Sequence, residues 1–242
     1  MLLFRTEYGS RAMGMGNEHS DHDVMEVWLE PREYITGLKT WDAKHYSTAE
    51  KGGRSGAGDT DTVVYGLKHW ASLAAKGNPT AMTPLFTYAG GIDDGWSDLG
   101  DRVLDAAKLF ISKEAGHRYK GYALSQRDAL LGMRNKKTNR PELVHSHGYD
   151  TKFAYHALRT LYQGIELMKT GWIQLPIPGS NALELKAVRA GEVGKDQFLG
   201  WFARAEGHMN FWLEDSTLPE HADYDSINTL LHDVYTEGWR KL

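Results

Sequence analysis

The chain has no cysteine among its 242 residues. That excludes disulfides and thiolate-held zinc, and it fits a reducing compartment. No apolar run approaches the ~20 residues of a membrane span. The N-terminus carries Arg5 and Glu7 and has no long apolar region, unlike a signal peptide. A soluble, cytoplasmic protein is the expectation. A basic excess is also missing: 28 Lys and Arg stand against 32 Asp and Glu, for a net charge of −4. Without a global basic signature, any polyanion site must come from local clustering. There is no internal repeat at solenoid periods. The length suits one large domain or two small ones.

What the chain does have is concentrated in Tyr8–Asp23, YGSRAMGMGNEHSDHD. An apolar run from Leu2 leads into Gly9-Ser10, and Asp21-His22-Asp23 opens a second apolar run through Leu29. Residues i and i+2 of a strand share a face, so Asp21 and Asp23 lie side by side and His22 points the other way. Two carboxylates roughly 6–7 Å apart along a strand repel unless a cation sits between them. Oxygen-preferring Mg²⁺ or Mn²⁺ meets that need. Gly9 allows close approach of a ligand to the backbone, and Ser10 adds a hydroxyl and an N–H. A phosphate-gripping turn beside two metal-holding acids suits phosphoryl or nucleotidyl transfer. The bland alternative is a glycine-rich hairpin with two solvated acids.

This stretch resembles the DNA polymerase β superfamily of nucleotidyltransferases, whose motif is Gly-Ser, a gap of about ten residues, and Asp-x-Asp. The matching positions are Gly9, Ser10, Asp21 and Asp23. The resemblance implies a third carboxylate on a neighbouring strand. Asp61, opening the β-branched run 61–65, is the expected one, with Asp59 as runner-up.

Downstream, 31–38 reads as a short helix and 66–76 as a helix closed by Gly77-Asn78-Pro79. Another helix begins at Thr80. The glycine-rich stretch 51–58 lacks the Gly-Lys-Ser/Thr ending of a P-loop and reads as a surface loop. Beyond Gly95 helical periodicity dominates, over 97–111, 114–133, 149–170, 194–214 and 224–239. The loop 134–140 holds four cationic residues in seven; a solvated turn and an anion site both fit it. Along 149–170, Lys152, His156, Arg159, Gln163 and Glu166 recur at spacings that share one helical face. That stripe fits a solvated face, or a row of phosphate donors with Gln163 reading a base or ribose. The tryptophans read as core or interface filler, with Trp28 and Trp41 the two placed to stack on a base.

The segments NRPELV (139–144), HGYDTK (147–152), HALR (156–159), QGIEL (163–167) and Thr170-Gly171 look like the predicted nucleotidyltransferases associated with RNA-repair and RNA-ligase loci. Asp61 to Pro79 fits the same family. The resemblance spans roughly Tyr8 to Leu218 and implies an α+β protein. A small mixed-sheet, polymerase-β-like catalytic domain (1–95) is expected, then a helical domain (96–242) closing a cleft. It implies transfer of a nucleoside monophosphate from an NTP with release of pyrophosphate, using Mg²⁺ or Mn²⁺, two ions being expected. Asp21, Asp23 and Asp61 would hold metal. Gly9, Ser10, Arg11, Arg140, Lys152, His156, Arg159 and Gln163 would hold nucleotide and phosphate. The acceptor is open: an RNA or DNA end, a protein or a small molecule. Two rivals stay in view: a nucleotide- or RNA-binding module without turnover, and a metal-dependent phosphohydrolase using Asp21, Asp23, His19 and His156.

Overall fold

The computed structural model describes residues 1–50, 55–87, 97–133 and 140–241. Positions 51–54 of the glycine-rich stretch and 134–139 of the basic loop therefore lie outside the described residues. The fold is α+β, with a four-stranded mixed sheet followed by a mostly helical region. The chain divides into two compact units. The first comprises Met1–Ile111 with His221–Leu242, and the second comprises Ser112–Glu220. No helix among the described residues is long and apolar enough to cross a membrane.

In the first unit the strands are β1 (Leu2–Glu7), β2 (His22–Trp28), β3 (Lys44–Ser47) and β4 (Thr60–Gly66), in the order β1-β2-β4-β3. β1 runs antiparallel to β2, β2 parallel to β4, and β3 antiparallel to β4. The period-2 pattern explains the register. Met25, Val27 and Leu29, which share the face of Asp21 and Asp23, are fully buried, as is Val63 on β4. Covered by packing along most of its length, that face reaches solvent at its acidic end, where the aspartates are only partly exposed.

Helices α1 (Arg32–Ile35), α2 (Leu67–Ala75), α3 (Pro79–Thr87) and α4 (Asp98–Asp105), with a 3-10 turn at Ala107–Phe110, complete the first part of this unit. Trp70 of α2 anchors the core, edge-on to Phe4 with ring centroids 5.1 Å apart and 5.6 Å from Phe110. The C-terminal helix α10 (Tyr224–Lys241) packs back onto the same unit. The anchor is Glu30, a buried carboxylate that accepts from the Leu67 N–H at 3.0 Å and from the Tyr235 hydroxyl at 2.5 Å. α2 has no capping side chain of its own. Glu30 supplies that cap from 37 residues away, satisfying an end N–H that would otherwise be orphaned.

The second unit contains α5 (Lys113–Leu130), α6 (Pro141–His147), α7 (Thr151–Thr170), α8 (Gly179–Ala190) and α9 (Lys195–Asp215). α7 is central and packs on α5, α8 and α9. Asp150 caps it, accepting from the Lys152 and Phe153 N–H groups at 3.0 and 3.1 Å, and Gly171 ends it in the left-handed conformation. Helices α6 and α8 and strand β3 have no counterpart in the expectations drawn from periodicity. β3 is exposed at all four positions, so no apolar alternation marks it.

Candidate active site

Three carboxylates converge at the end of the β2–β4 pair. Asp23 and Asp61 are register partners across the parallel ladder, and Asp21 lies two residues before Asp23. Each offers an oxygen, and the three oxygens all lie within 4.8 Å of one another. Asp61, rather than Asp59, completes the cluster. Asp59 instead braces its own loop, accepting from Thr48 Oγ1 at 3.3 Å and from the Gly56 N–H at 3.0 Å.

The turn after β1 is built around this cluster. A Cβ on Gly9 would lie 1.7 Å from Asp23 Oδ2, so only glycine permits the carboxylate and the turn to coexist. The turn is held by hydrogen bonds from the Met13 N–H to Gly9 O (3.3 Å) and from the Met15 N–H to Ser10 O (2.9 Å). Ala12, Met13 and Met15 bury their side chains beneath it. Arg11 donates to the carbonyls of Ser20 at 2.9 Å and Asp21 at 3.2 Å. Its guanidinium thereby fixes the backbone that presents Asp21. Arg11 also lines an open cavity of about 310 Å³ with Gly14, Gly16, Asn17 and Glu18.

The electrostatics of the cluster are strongly negative. The Tyr8 hydroxyl is pushed well above its ordinary pKa, first by burial and then by the charges of Asp23, Tyr65, Asp61 and Asp21. Ser55 Oγ donates to Asp61 Oδ2 at 2.8 Å, while Asp61 Oδ1 is buried and has no partner among the described residues. The Ser10 hydroxyl is likewise buried and without a partner among them. Orphaned buried acceptors among like charges are costly unless a cation or donor completes them. An all-oxygen carboxylate set of this kind fits a hard divalent cation. His22 faces away, as the strand pattern requires, and its Nδ1 lies 2.6 Å from Glu7 Oε1. His19 is exposed on the loop, 3.6 Å from Glu18.

The remaining expected residues lie in the second unit. Lys152 is exposed, His156 and Arg159 are partly exposed, and Gln163 is buried at 6% exposure. Arg140 packs over the Phe153 ring at 4.8 Å and is gripped by Asp150, with Nε 3.2 and 3.1 Å from its two oxygens. Asp150 thus both caps α7 and places a guanidinium beside its first turn. His156 is held well below its ordinary pKa, first by burial and then by the positive charges of Arg159, Lys152, Arg140 and Arg189. Beside this row, the Arg159 and Arg189 guanidiniums lie 5.7 and 5.4 Å from the Tyr155 ring centroid, and neither Tyr155 on α7 nor Arg189 on α8 carries a signal in the sequence. Tyr155 sits between Ala154 and His156 in an apolar stretch and reads as core. Arg189 lies on a helix that sequence periodicity did not reveal.

A mixed sheet with three acids gathered at a Gly-Ser turn defines a site of the polymerase-β nucleotidyltransferase type. The chain belongs to the RlaP family, described as the RNA repair pathway DNA polymerase beta family, whose model matches residues 1–196. No curated protein matches the chain.

Proposed function

We propose that the protein is a metal-dependent nucleotidyltransferase that moves a nucleoside monophosphate from an NTP to a hydroxyl acceptor and releases pyrophosphate. The observation that carries this reading is the cluster of Asp21, Asp23 and Asp61 oxygens within 4.8 Å, pressed against a turn that tolerates only glycine at position 9. Mg²⁺ or Mn²⁺, in two positions, would be held by Asp21 and Asp23, with Asp61 completing one of them. A divalent cation held by these residues would supply charge neutralisation for phosphoryl transfer. The residues of the chain do the rest. The Gly9–Ser10 turn offers N–H groups and the Ser10 hydroxyl to phosphate oxygens. Asp61, on the strand beside Asp23, would accept the proton of the attacking hydroxyl. Arg11 keeps Asp21 in place through its backbone and offers its guanidinium edge to phosphate. The proposed phosphate donors of the second unit are Lys152, His156, Arg159 and Arg140, with Gln163 for a base or ribose.

The family description points to RNA repair, so an RNA end is the first acceptor to try. The test incubates the protein with each NTP, Mg²⁺ or Mn²⁺, and RNA oligonucleotides. Pyrophosphate with a labelled acceptor is expected. Free phosphate would identify a hydrolase instead, and NTP binding with neither product a binding module.

A further inference from the structure

Asp61 is gripped from the edge of the sheet. In the ladder Asp23, Asp61 and Ser47 stand abreast on β2, β4 and β3. Ser55 Oγ donates to Asp61 Oδ2 at 2.8 Å and lies 3.4 Å from Ser47 Oγ. A hydroxyl has one proton to donate. That of Ser55 is committed to the carboxylate, so Ser47 is the donor within the serine pair. The Ala49 N–H in turn donates to Ser47 Oγ at 3.2 Å. All three bonds run toward the carboxylate, and hydrogen bonds chained in one direction polarise one another. The turn that presents Ser55 is braced without help from the clustered acids. Asp59 accepts from the Gly56 N–H and from Thr48 Oγ1, and Thr48 Oγ1 accepts from the Thr60 N–H at 2.8 Å. The Asp59 N–H donates to Gly56 O at 3.0 Å, and Gly58 takes the left-handed conformation (φ 84°) between them.

We infer that Ser55 is a positioning residue for the acidic cluster: its hydroxyl, directed by Ser47, pins Asp61 Oδ2 and leaves Oδ1 to a divalent cation. The two oxygens of Asp61 are already unequal. Oδ2 has its donor, whereas Oδ1 is buried and has no partner among the described residues. A carboxylate free to rotate loses that freedom when a cation captures it, and one fixed beforehand loses less. Hydrogen bonds of this outer kind are what orient a metal-binding carboxylate. Asp59 serves the same end from further back, because the turn it braces begins at Ser55. This inference rests on the reading of Asp61 as a metal ligand and adds the groups that aim it.

The experiment is a Mn²⁺ titration of the full chain, read by paramagnetic relaxation, for the wild type, Ser55→Ala, Ser55→Cys, Ser55→Thr, Ser47→Ala and the Ser47→Ala/Ser55→Ala double variant. Ser55→Ala should weaken Mn²⁺ binding about tenfold. Ser55→Cys keeps the shape with only a weak donor and should lose nearly as much. Ser55→Thr restores a hydroxyl and should recover most of the affinity. Ser47→Ala should lose less than Ser55→Ala. The double variant should lose no more than Ser55→Ala alone, because Ser47 acts through Ser55. Thermal melts in EDTA establish that each variant folds. Should Ser55→Ala fail to fold, Ser55→Cys decides. Unchanged affinity in Ser55→Ala and Ser55→Cys, or a Ser55→Thr variant as weak as Ser55→Ala, would overturn the inference. Pyrophosphate release is measured separately. Ser55-dependent Mn²⁺ binding without transfer would remove the enzyme and keep the positioning role. Transfer with Mn²⁺ binding indifferent to Ser55 would do the reverse, and a wild type that binds no Mn²⁺ would overturn both.

Discussion

The Asp23 carboxylate occupies the space where a side chain on Gly9 would begin, with Oδ2 1.7 Å from the position of a Cβ. The glycine is thus required by the neighbouring Asp23 carboxylate and not by its own backbone, since its φ is not among the positive ones. Gly9→Ala should displace Asp23 or the turn. We expect a protein that folds, with Mn²⁺ affinity and nucleotide turnover both reduced by an order of magnitude or more, following the sensitivity of positioned groups to shifts of about 1 Å. Mn²⁺ binding followed by paramagnetic relaxation checks it. Wild-type affinity in this variant would mean that Asp23 takes no part in holding metal.

The Asp21 and Asp23 carboxylates make a different prediction. Without a cation, Asp21, Asp23 and Asp61 repel. Asp21→Asn and Asp23→Asn should therefore unfold at equal or higher temperature than the wild type in EDTA. The added stability that Mg²⁺ gives the wild type should be lost. Thermal melts with and without Mg²⁺ measure both effects. Variants that keep a full Mg²⁺-induced shift would separate the cation from these acids.

Much of this site is legible in the sequence because its logic is local. The Asp21-x-Asp23 pair follows from strand alternation, and the buried Met25, Val27 and Leu29 confirm the face. Asp61 follows from the family resemblance. Elements whose placement depends on distant partners are not legible. β3 has no alternation to show. α8 begins at Gly179, after Pro178, without a capping side chain, so no start signal marks it. Arg189 was hidden with it. The return of α10 to the first unit brings Tyr235 to Glu30, 205 residues away, which no local pattern encodes.

That Glu30 contact can be tested alone. Glu30 is 2% exposed and takes its donors from Leu67 and Tyr235. The Tyr235 hydroxyl also accepts from the Lys68 N–H at 3.1 Å. Tyr235→Phe removes a donor to a buried carboxylate and an acceptor from a helix end, which should cost about 1–3 kcal/mol. Urea denaturation should show a lower midpoint with an unchanged slope. A loss under a few tenths of a kcal/mol would show that water replaces the hydroxyl there.

His156 gives the last prediction, concerning pH. Burial and the nearby Arg159, Lys152, Arg140 and Arg189 lower its pKa well below 6.5 in the folded protein. The unfolded chain then binds a proton that the folded chain refuses. The linkage relation makes stability rise with pH wherever the unfolded state holds more protons. The contribution of His156 is therefore fully present above about pH 6.5 and declines as pH falls below that value toward the folded pKa. His156→Gln removes the titrating group, so its stability should fall less steeply than that of the wild type between about pH 6.5 and 5. Identical pH slopes for wild type and His156→Gln would show that His156 titrates normally.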